Sequence, residues 1–303
     1  MGSVTTRNIC PGCFRPKGTV EKCPHCGYET SVKRDAKLLP WWTLLRGRYL
    51  IGRELGRPWP HRYLAWDKME NKPVVVSEYD AKEAASSFYA ELAYESMLKV
   101  DWDSAYESFI EDFLGTMDKL ARLDNLFLER VREAFSVNYK AYAVGDYMPG
   151  MSLADYLARA GGPIPEDRAV AVMLPILDAL CGLQAAGLDC DVYKETIFLA
   201  DWKRPVLLSS SVSRRGWHPG HVAWLCANLL GRMVAGIQLP ETGWNQSLES
   251  ARRQALRDLP PGVSLSPGLI AALADPGDNA AAFRRALRAV RDGGQTAGHL
   301  PSF

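Results

Sequence analysis

The rhythm of apolar and polar positions changes partway along the chain, and that change is the first guide to its architecture. From Arg48 to Leu55, and again around Tyr63-Leu64-Ala65-Trp66, apolar residues interleave with polar ones in the way half-buried strands require. Val74-Val75-Val76 is a further β-branched run, and Ala141 to Tyr147 reads as another strand. Between residues 80 and 123 the pattern is different: Tyr106, Phe109, Phe113, Met117 and Leu120 recur at helical spacing. Beyond Tyr147 the helical period dominates. Ser152 with Asp155 resembles a capping box, and Pro165-Glu166 opens a longer helix whose Val170, Met173, Leu174, Leu177, Leu180 and Cys181 form a buried stripe. Val222 to Val234, Pro267 to Ala274 and Ala280 to Val290 complete a helical C-terminal half. Strands first and helices afterwards predict an α+β domain in two lobes.

Composition narrows the function classes. The chain has 303 residues, 47% hydrophobic and 23% charged, which suits a folded globular protein with room for more than one core. A formal net charge of +1 provides no global field toward nucleic acid or an anionic membrane. No uninterrupted run approaches the roughly 18 or more apolar residues of a spanning helix, and the N-terminus lacks the apolar core of a signal peptide, so a cytoplasmic protein without a membrane partner is expected.

Four of the seven cysteines fall within residues 10 to 26, in the order Cys10-Pro-Gly-Cys13 and Cys23-Pro-His-Cys26-Gly27. Two C-x2-C knuckles nine residues apart can turn four thiolates onto one ion, the donor set of a structural, tetrahedral zinc site. With all four positions filled by sulfur, no place stays open for catalytic water. His25, between ligands, is expected outside the metal shell. Residues 1–37 are too few to bury a core, so metal binding would supply most of their folding free energy. They carry seven Lys/Arg against three Asp/Glu, which a solvated basic face explains better than nucleic-acid binding. Cys181 and Cys226 lie in apolar helical stripes and read as core thiols; Cys190 has no catalytic role assigned.

The run Gly47-Arg48-Tyr49-Leu50-Ile51-Gly52-Arg53-Glu54-Leu55-Gly56, followed by Tyr63-Leu64-Ala65-Trp66-Asp67 and Glu78-Tyr79, resembles the start of a bacterial serine/threonine protein kinase domain. Leu120-Ala121-Arg122-Leu123-Asp124, Val144-Gly145-Asp146-Tyr147 and Leu177-Asp178-Ala179-Leu180 follow in the order that family would have, so the resemblance spans about residues 44–290. It implies a protein-kinase-like two-lobed fold behind a small N-terminal zinc ribbon: ribbon over 1–37, N-lobe over 38–148, helical C-lobe over 149–303.

The same resemblance permits an audit of the chemistry, because phosphoryl transfer depends on placed charges. Where a glycine-rich loop would cover phosphates, the chain has Gly56-Arg57-Pro58-Trp59-Pro60-His61, with prolines that offer no N–H and a tryptophan that blocks close approach. Ser77 stands at the place of the phosphate-gripping lysine, and Thr116 at that of its glutamate partner. The catalytic loop matches Asp189-Cys190-Asp191, so Asp191 survives at the position of the base, with Thr196 in place of the metal-binding asparagine. Ser209-Ser210-Ser211 replaces Asp-Phe-Gly, removing the main magnesium ligand at Ser209. Asp189 and Ser210 interrupt the apolar stack that normally crosses such domains, only a vestigial activation segment fits between Ser211 and Val222, and no Ala-Pro-Glu motif follows. Gly145 would leave space at the back of the nucleotide pocket, which a Trp or Tyr of the N-lobe is expected to fill.

The resemblance therefore implies a pseudokinase: no catalytic residues beyond a vestigial Asp191, structural zinc on Cys10, Cys13, Cys23 and Cys26, no ATP or magnesium, and a binding, scaffold or regulatory role toward an unidentified protein partner. A surviving carboxylate in this loop more often accepts local hydrogen bonds than acts as a base. The alternatives are an atypical nucleotide-dependent phosphotransferase and a nucleic-acid-binding regulator working through the ribbon. The acidic, aromatic stretch from Tyr89 to Asp112 is a candidate partner contact, with Trp102 and Tyr106 as anchors.

Overall fold

The computed structural model describes residues 8–31, 34–56, 60–89, 100–213, 219–239 and 246–294. Residues 57–59 of the glycine-loop position, 90–99 of the acidic stretch and 214–218 of the expected activation segment lie outside the described residues. The chain divides into two units, one made of Met1–Ala121 and Arg130–Tyr147, the other of Arg122–Glu129 and Met148–Phe303.

In the first unit, strands β1 (Leu44–Leu45), β2 (Tyr49–Glu54), β3 (His61–Asp67) and β4 (Lys72–Asp80) precede helices α1 (Ala81–Phe88) and α2 (Trp102–Ala121), and β5 (Val131–Val137) and β6 (Lys140–Asp146) follow. They form one antiparallel sheet in the order β1-β2-β3-β4-β6-β5. Strand alternation sends Tyr49, Ile51, Tyr63, Ala65, Val74, Val76, Tyr142 and Val144 into one core, against which Leu38 and Leu39 pack. On the opposite face Tyr79 stacks on Phe113 of α2 at 4.7 Å. Val74 through Glu78 are therefore buried without a break, as a strand covered on both faces must be. Glu78 tolerates this position because the Tyr63 hydroxyl and the Lys140 ammonium both donate to it at 2.6 Å. Burial pulls the Lys140 ammonium down, but Glu78 and Asp80 more than offset it and hold it above its ordinary range.

The ribbon belongs to this same unit. Two short pairings, Ile9 with Pro16 and Lys22 with Glu29, shape its two hairpins. Its first knuckle lies on β2: the Arg53 N–H donates to the Pro11 carbonyl at 2.8 Å, and a Cβ at Gly52 would come within 2.4 Å of that oxygen. Only glycine admits this approach. Phe14 packs between Trp42 and Trp66, with ring centroids 6.1 and 5.7 Å away, and Tyr28 meets Trp41.

The second unit holds, in chain order, β7 (Gly150–Ser152), α3 (Leu153–Ala160), α4 (Glu166–Ala185), β8 (Asp189–Cys190), β9 (Ile197–Ala200), β10 (Arg204–Leu207), β11 (Val212–Ser213), α5 (Pro219–Ala235), α6 (Gln246–Arg257), α7 (Pro267–Ala274) and α8 (Ala280–Gly294). Ser152 caps α3 by accepting from the Asp155 N–H. Helix α4 is long and apolar enough to cross a membrane, yet it is the central helix of this unit, with Val170, Met173, Ile176, Leu177, Leu180 and Leu183 buried. Its apolar character is that of a core helix. Arg252 is wholly buried, with Nε donating to the Leu273 carbonyl at 2.6 Å and the guanidinium over the Trp224 ring at 4.2 Å, which ties α6 to α5 and α7.

Candidate metal centre and catalytic-loop region

The four sulfurs of Cys10, Cys13, Cys23 and Cys26 all lie within 4.8 Å of one another. The Cys10–Cys26 and Cys13–Cys23 separations are 3.7 and 3.8 Å. A tetrahedron of sulfurs about 2.3 Å from a central zinc has edges of about 3.8 Å, so this donor set fits that ion. Each knuckle is closed by its own backbone: Phe14 N–H donates to the Cys10 carbonyl at 2.8 Å and Gly27 N–H to the Cys23 carbonyl at 2.9 Å. The two knuckles are near copies, and the residue after each second cysteine is left-handed, Phe14 at φ 56° and Gly27 at φ 71°. Gly12 N–H points at the Cys10 sulfur at 3.2 Å. Burial pushes the Cys10 thiol up to about 12, whereas at Cys23 burial is outweighed by the backbone N–H groups of His25 and Cys26, which lower the thiol to about 6. His25 is exposed, with Nε2 3.1 Å from the Pro16 carbonyl, and is no part of the cluster.

In the same unit Ser77 and Thr116 are both buried, 3% and 2% exposed. Ser77 lies two residues before Tyr79 on β4, hence on the sheet face that α2 covers; Thr116 lies one turn beyond Phe113 on α2. The sequence resemblance thus puts these two positions on elements that do pack together. The Thr116 hydroxyl is spent on the Asp112 carbonyl one turn back, at 2.7 Å. Gly145 sits mid-sheet, opposite Val75 and Val131.

The second unit gathers the other audited residues around one loop. Asp191 N–H donates to the Ser211 carbonyl at 3.1 Å, and Leu208 N–H to the Thr196 carbonyl at 2.9 Å, so the Asp191 loop and the serine triplet are joined through the backbone. Beside them β8 pairs with β11, Cys190 opposite Val212 and Asp189 opposite Ser213. The Thr196 hydroxyl accepts from the Tyr193 N–H at 2.9 Å and lies 3.2 and 2.9 Å from the Asp191 and Tyr193 carbonyls, closing the loop on itself. Ser209 points inward: its N–H and hydroxyl both donate to Glu129, at 3.0 and 2.7 Å, and both residues are buried. Glu129 is the residue that sequence reasoning missed. Nothing local distinguishes it, since its partner lies 80 positions away. Cys190 is buried, its sulfur 3.1 Å from the Ser211 hydroxyl, and desolvation pushes its thiol up to about 12, the opposite of an activated nucleophile. Cys226 is likewise buried, and burial raises the thiol of half-buried Cys181.

No protein-family model matches the chain, and no curated protein sequence does. Among solved structures it is similar to the kinase domain of PknI from Mycobacterium tuberculosis, in a cysteine-to-alanine mutant form with TM-score 0.58 and in a second structure with TM-score 0.56. Identity is 17% in both, over 83% of this chain and 98% of the PknI domain.

Proposed function

We propose, from the premise that this chain has the fold of a protein kinase domain, that it is a catalytically inactive kinase-like protein of the bacterial cytoplasm, working as a binding or regulatory partner of other proteins. The ribbon holds a structural zinc on Cys10, Cys13, Cys23 and Cys26, which fixes the first knuckle against β2. The observation that carries the reading is Ser209. A neutral residue occupies the place of the magnesium-binding carboxylate, and its hydrogen-bonding groups are turned onto buried Glu129. Thr196 likewise uses its hydroxyl to close its own loop, and Ser77 and Thr116 put two small neutral side chains where an ion pair would stand. The exchanges at Ser77, Thr116 and Ser209 each remove a charge that phosphoryl transfer needs, and that at Thr196 removes a metal-ligating amide, while the backbone frame persists.

The test is calorimetric titration of the zinc-loaded protein with ATP, with and without Mg²⁺ or Mn²⁺, alongside phosphoryl-transfer assays. No metal-dependent binding and no transfer is the expected result. Metal-dependent binding together with transfer abolished by Asp191→Ala would establish the competing phosphotransferase reading.

A further inference from the structure

Residues 78–118 carry eleven Asp/Glu against two Lys/Arg, in a chain whose net charge is +1. Part of this excess is ordered on α2. Asp103, Glu107 and Glu111 are exposed at intervals of four residues, so they form a single carboxylate row along the helix. Like charges at this spacing destabilise the helix that carries them, which makes the row costly to folding. Beside it runs a second row, half-buried Trp102, Tyr106 and Phe109.

These rings belong to a longer surface chain. Phe88 meets Phe109 at 5.6 Å, Tyr89 meets Trp102 at 5.6 Å, Trp102 meets Tyr106 at 6.0 Å, and Tyr106 meets Tyr139 at 5.6 Å. Phe88 meets Tyr89 edge-on at 5.0 Å, which joins these rings into one chain from Phe109 to Tyr139, and within it Phe88 is 54% and Tyr139 37% exposed. Tyr139 stands at the tip of the β5–β6 hairpin with φ 58°, a left-handed conformation that a bulky residue adopts at a cost. Its hydroxyl lies 3.4 Å from Asp103 and its ring on Tyr106, so the turn keeps an aromatic where glycine would be relaxed. The surface already seats one cation: the Lys82 ammonium lies 5.8 and 5.4 Å from the Tyr106 and Tyr139 ring centres.

We propose that this face of α1, α2 and the β5–β6 hairpin tip docks a Lys/Arg-rich segment of a partner protein, its cations on the carboxylate row and its apolar side chains on the rings. The proposal rests on the binding reading above and names the partner class. Carboxylates four residues apart recur about every 6 Å along α2, the same repeat at which a helical partner presents cations four residues apart. The chain has a basic helix of its own, α8, but three of its four arginines are engaged, Arg284 and Arg288 by Asp178 and Arg291 by Asp292, and only exposed Arg285 lies outside these pairs. A second copy, offering one cation and not a row of them, is therefore the weaker match for this face.

The test uses the full-length, zinc-loaded protein and a fluorescein-labelled peptide of about 16 residues with Arg at every fourth position and Leu between, read by anisotropy. We expect binding to weaken roughly tenfold between about 50 and about 300 mM NaCl. It should weaken roughly tenfold in Glu107→Lys/Glu111→Lys and remain unchanged in Asp258→Lys/Asp292→Lys, which alters exposed carboxylates of the other unit. A matching peptide with Glu for Arg should not bind. Because the altered residues are exposed and the row is self-repelling, the first double variant should melt no lower than the parent. Equal binding by parent and variant, or equal loss in both variants, overturns the proposal. So does sedimentation showing a self-associated parent that the Glu107→Lys/Glu111→Lys change dissociates, which would make a second copy the occupant. Phosphoryl transfer by the parent would sink the non-catalytic reading without touching these peptide results, so the two failures are distinguishable.

Discussion

The four-cysteine cluster and the loop around Asp191 hold their shapes by opposite means. In the ribbon the backbone makes only short pairings and the side chains converge on one point, so an ion shared by the four sulfurs would hold the fold. In the loop, backbone bonds and the Thr196 hydroxyl hold the geometry. The difference teaches where a chain can surrender charge. On the reading proposed above, sulfur donors that shape depends on stay together, whereas positions whose charge would serve only chemistry carry Ser or Thr.

The largest expected effect comes from taking the metal away. Structural zinc contributes on the order of 10–16 kcal/mol to small Cys-ligated modules, far more than residues 8–31 could regain by packing. Chelation, or Cys23→Ser, should unfold the ribbon, and the Arg53 amide, which donates to Pro11, should then exchange with solvent roughly tenfold faster. Amides of α4 in the other unit should keep their protection. An unchanged Arg53 amide would mean the ribbon is a passenger on the sheet.

If Ser209 stands where the proposed reading puts it, in place of a metal-binding carboxylate, then introducing a carboxylate there should damage the protein. In Ser209→Asp a second carboxyl meets buried Glu129, at a cost of about 3 kcal/mol, whereas Ser209→Ala gives up one hydroxyl bond worth about 1 kcal/mol. Urea unfolding separates the two. If Ser209→Asp were instead stabilised by Mg²⁺, the site would be holding a metal and the contrast with the ribbon would collapse.

A charge that serves the scaffold offers a third test. Asp67 is buried and accepts from Arg48 at 2.9 and 2.6 Å and from the Met69 and Glu70 N–H groups, and the Arg48 hydrogen bonds hold its carboxyl down at about 2. A folded pKa below the unfolded value of about 3.9 means stability fully present above pH ~4 and lost as pH falls toward ~2. Arg48 is one-quarter exposed, so Asp67→Asn should cost about 2–3 kcal/mol rather than the full penalty of a dry pair. The variant's urea midpoint should also change less than the parent's over that pH window; equal acid sensitivity would show that other carboxylates govern it.

What the sequence made legible follows from how far apart the partners lie. The cysteine cluster is written within seventeen consecutive positions, and its donor set could be read whole. The strand at Val74–Val76 was visible, but its full extent over Lys72–Asp80 was not, because Ser77 and Glu78 look like strand-ending polar residues. Glu78 is buried only because Tyr63 and Lys140 reach it from 15 and 62 positions away. The edge strand Val131–Val137 is half polar and shows no clean alternation, and Gln246–Arg257 has only two large apolar residues, Leu248 and Leu256, and buries an arginine, Arg252, so neither is legible from apolar spacing. Motif order alone assigns Ser77, Thr116, Thr196 and Ser209, whereas the inward turn of Ser209 onto Glu129 is legible only in the fold.

The smallest effect sharpens the comparison inside the ribbon itself. Phe14 and Gly27 occupy equivalent left-handed positions after the second cysteine of each knuckle, so Phe14→Gly makes the first knuckle a copy of the second. Relief of the strained backbone should return about 1 kcal/mol. Against this, the ring is withdrawn from Trp42 and Trp66, and a half-buried phenylalanine in such contact is worth roughly 2 kcal/mol. The net change should be a loss of about 1 kcal/mol, with zinc affinity by competitive chelation nearly unaltered because no sulfur moves. A gain in stability would mean that the ring contributes little, and that the backbone contact at Gly52 and Arg53 alone holds the knuckle to the sheet.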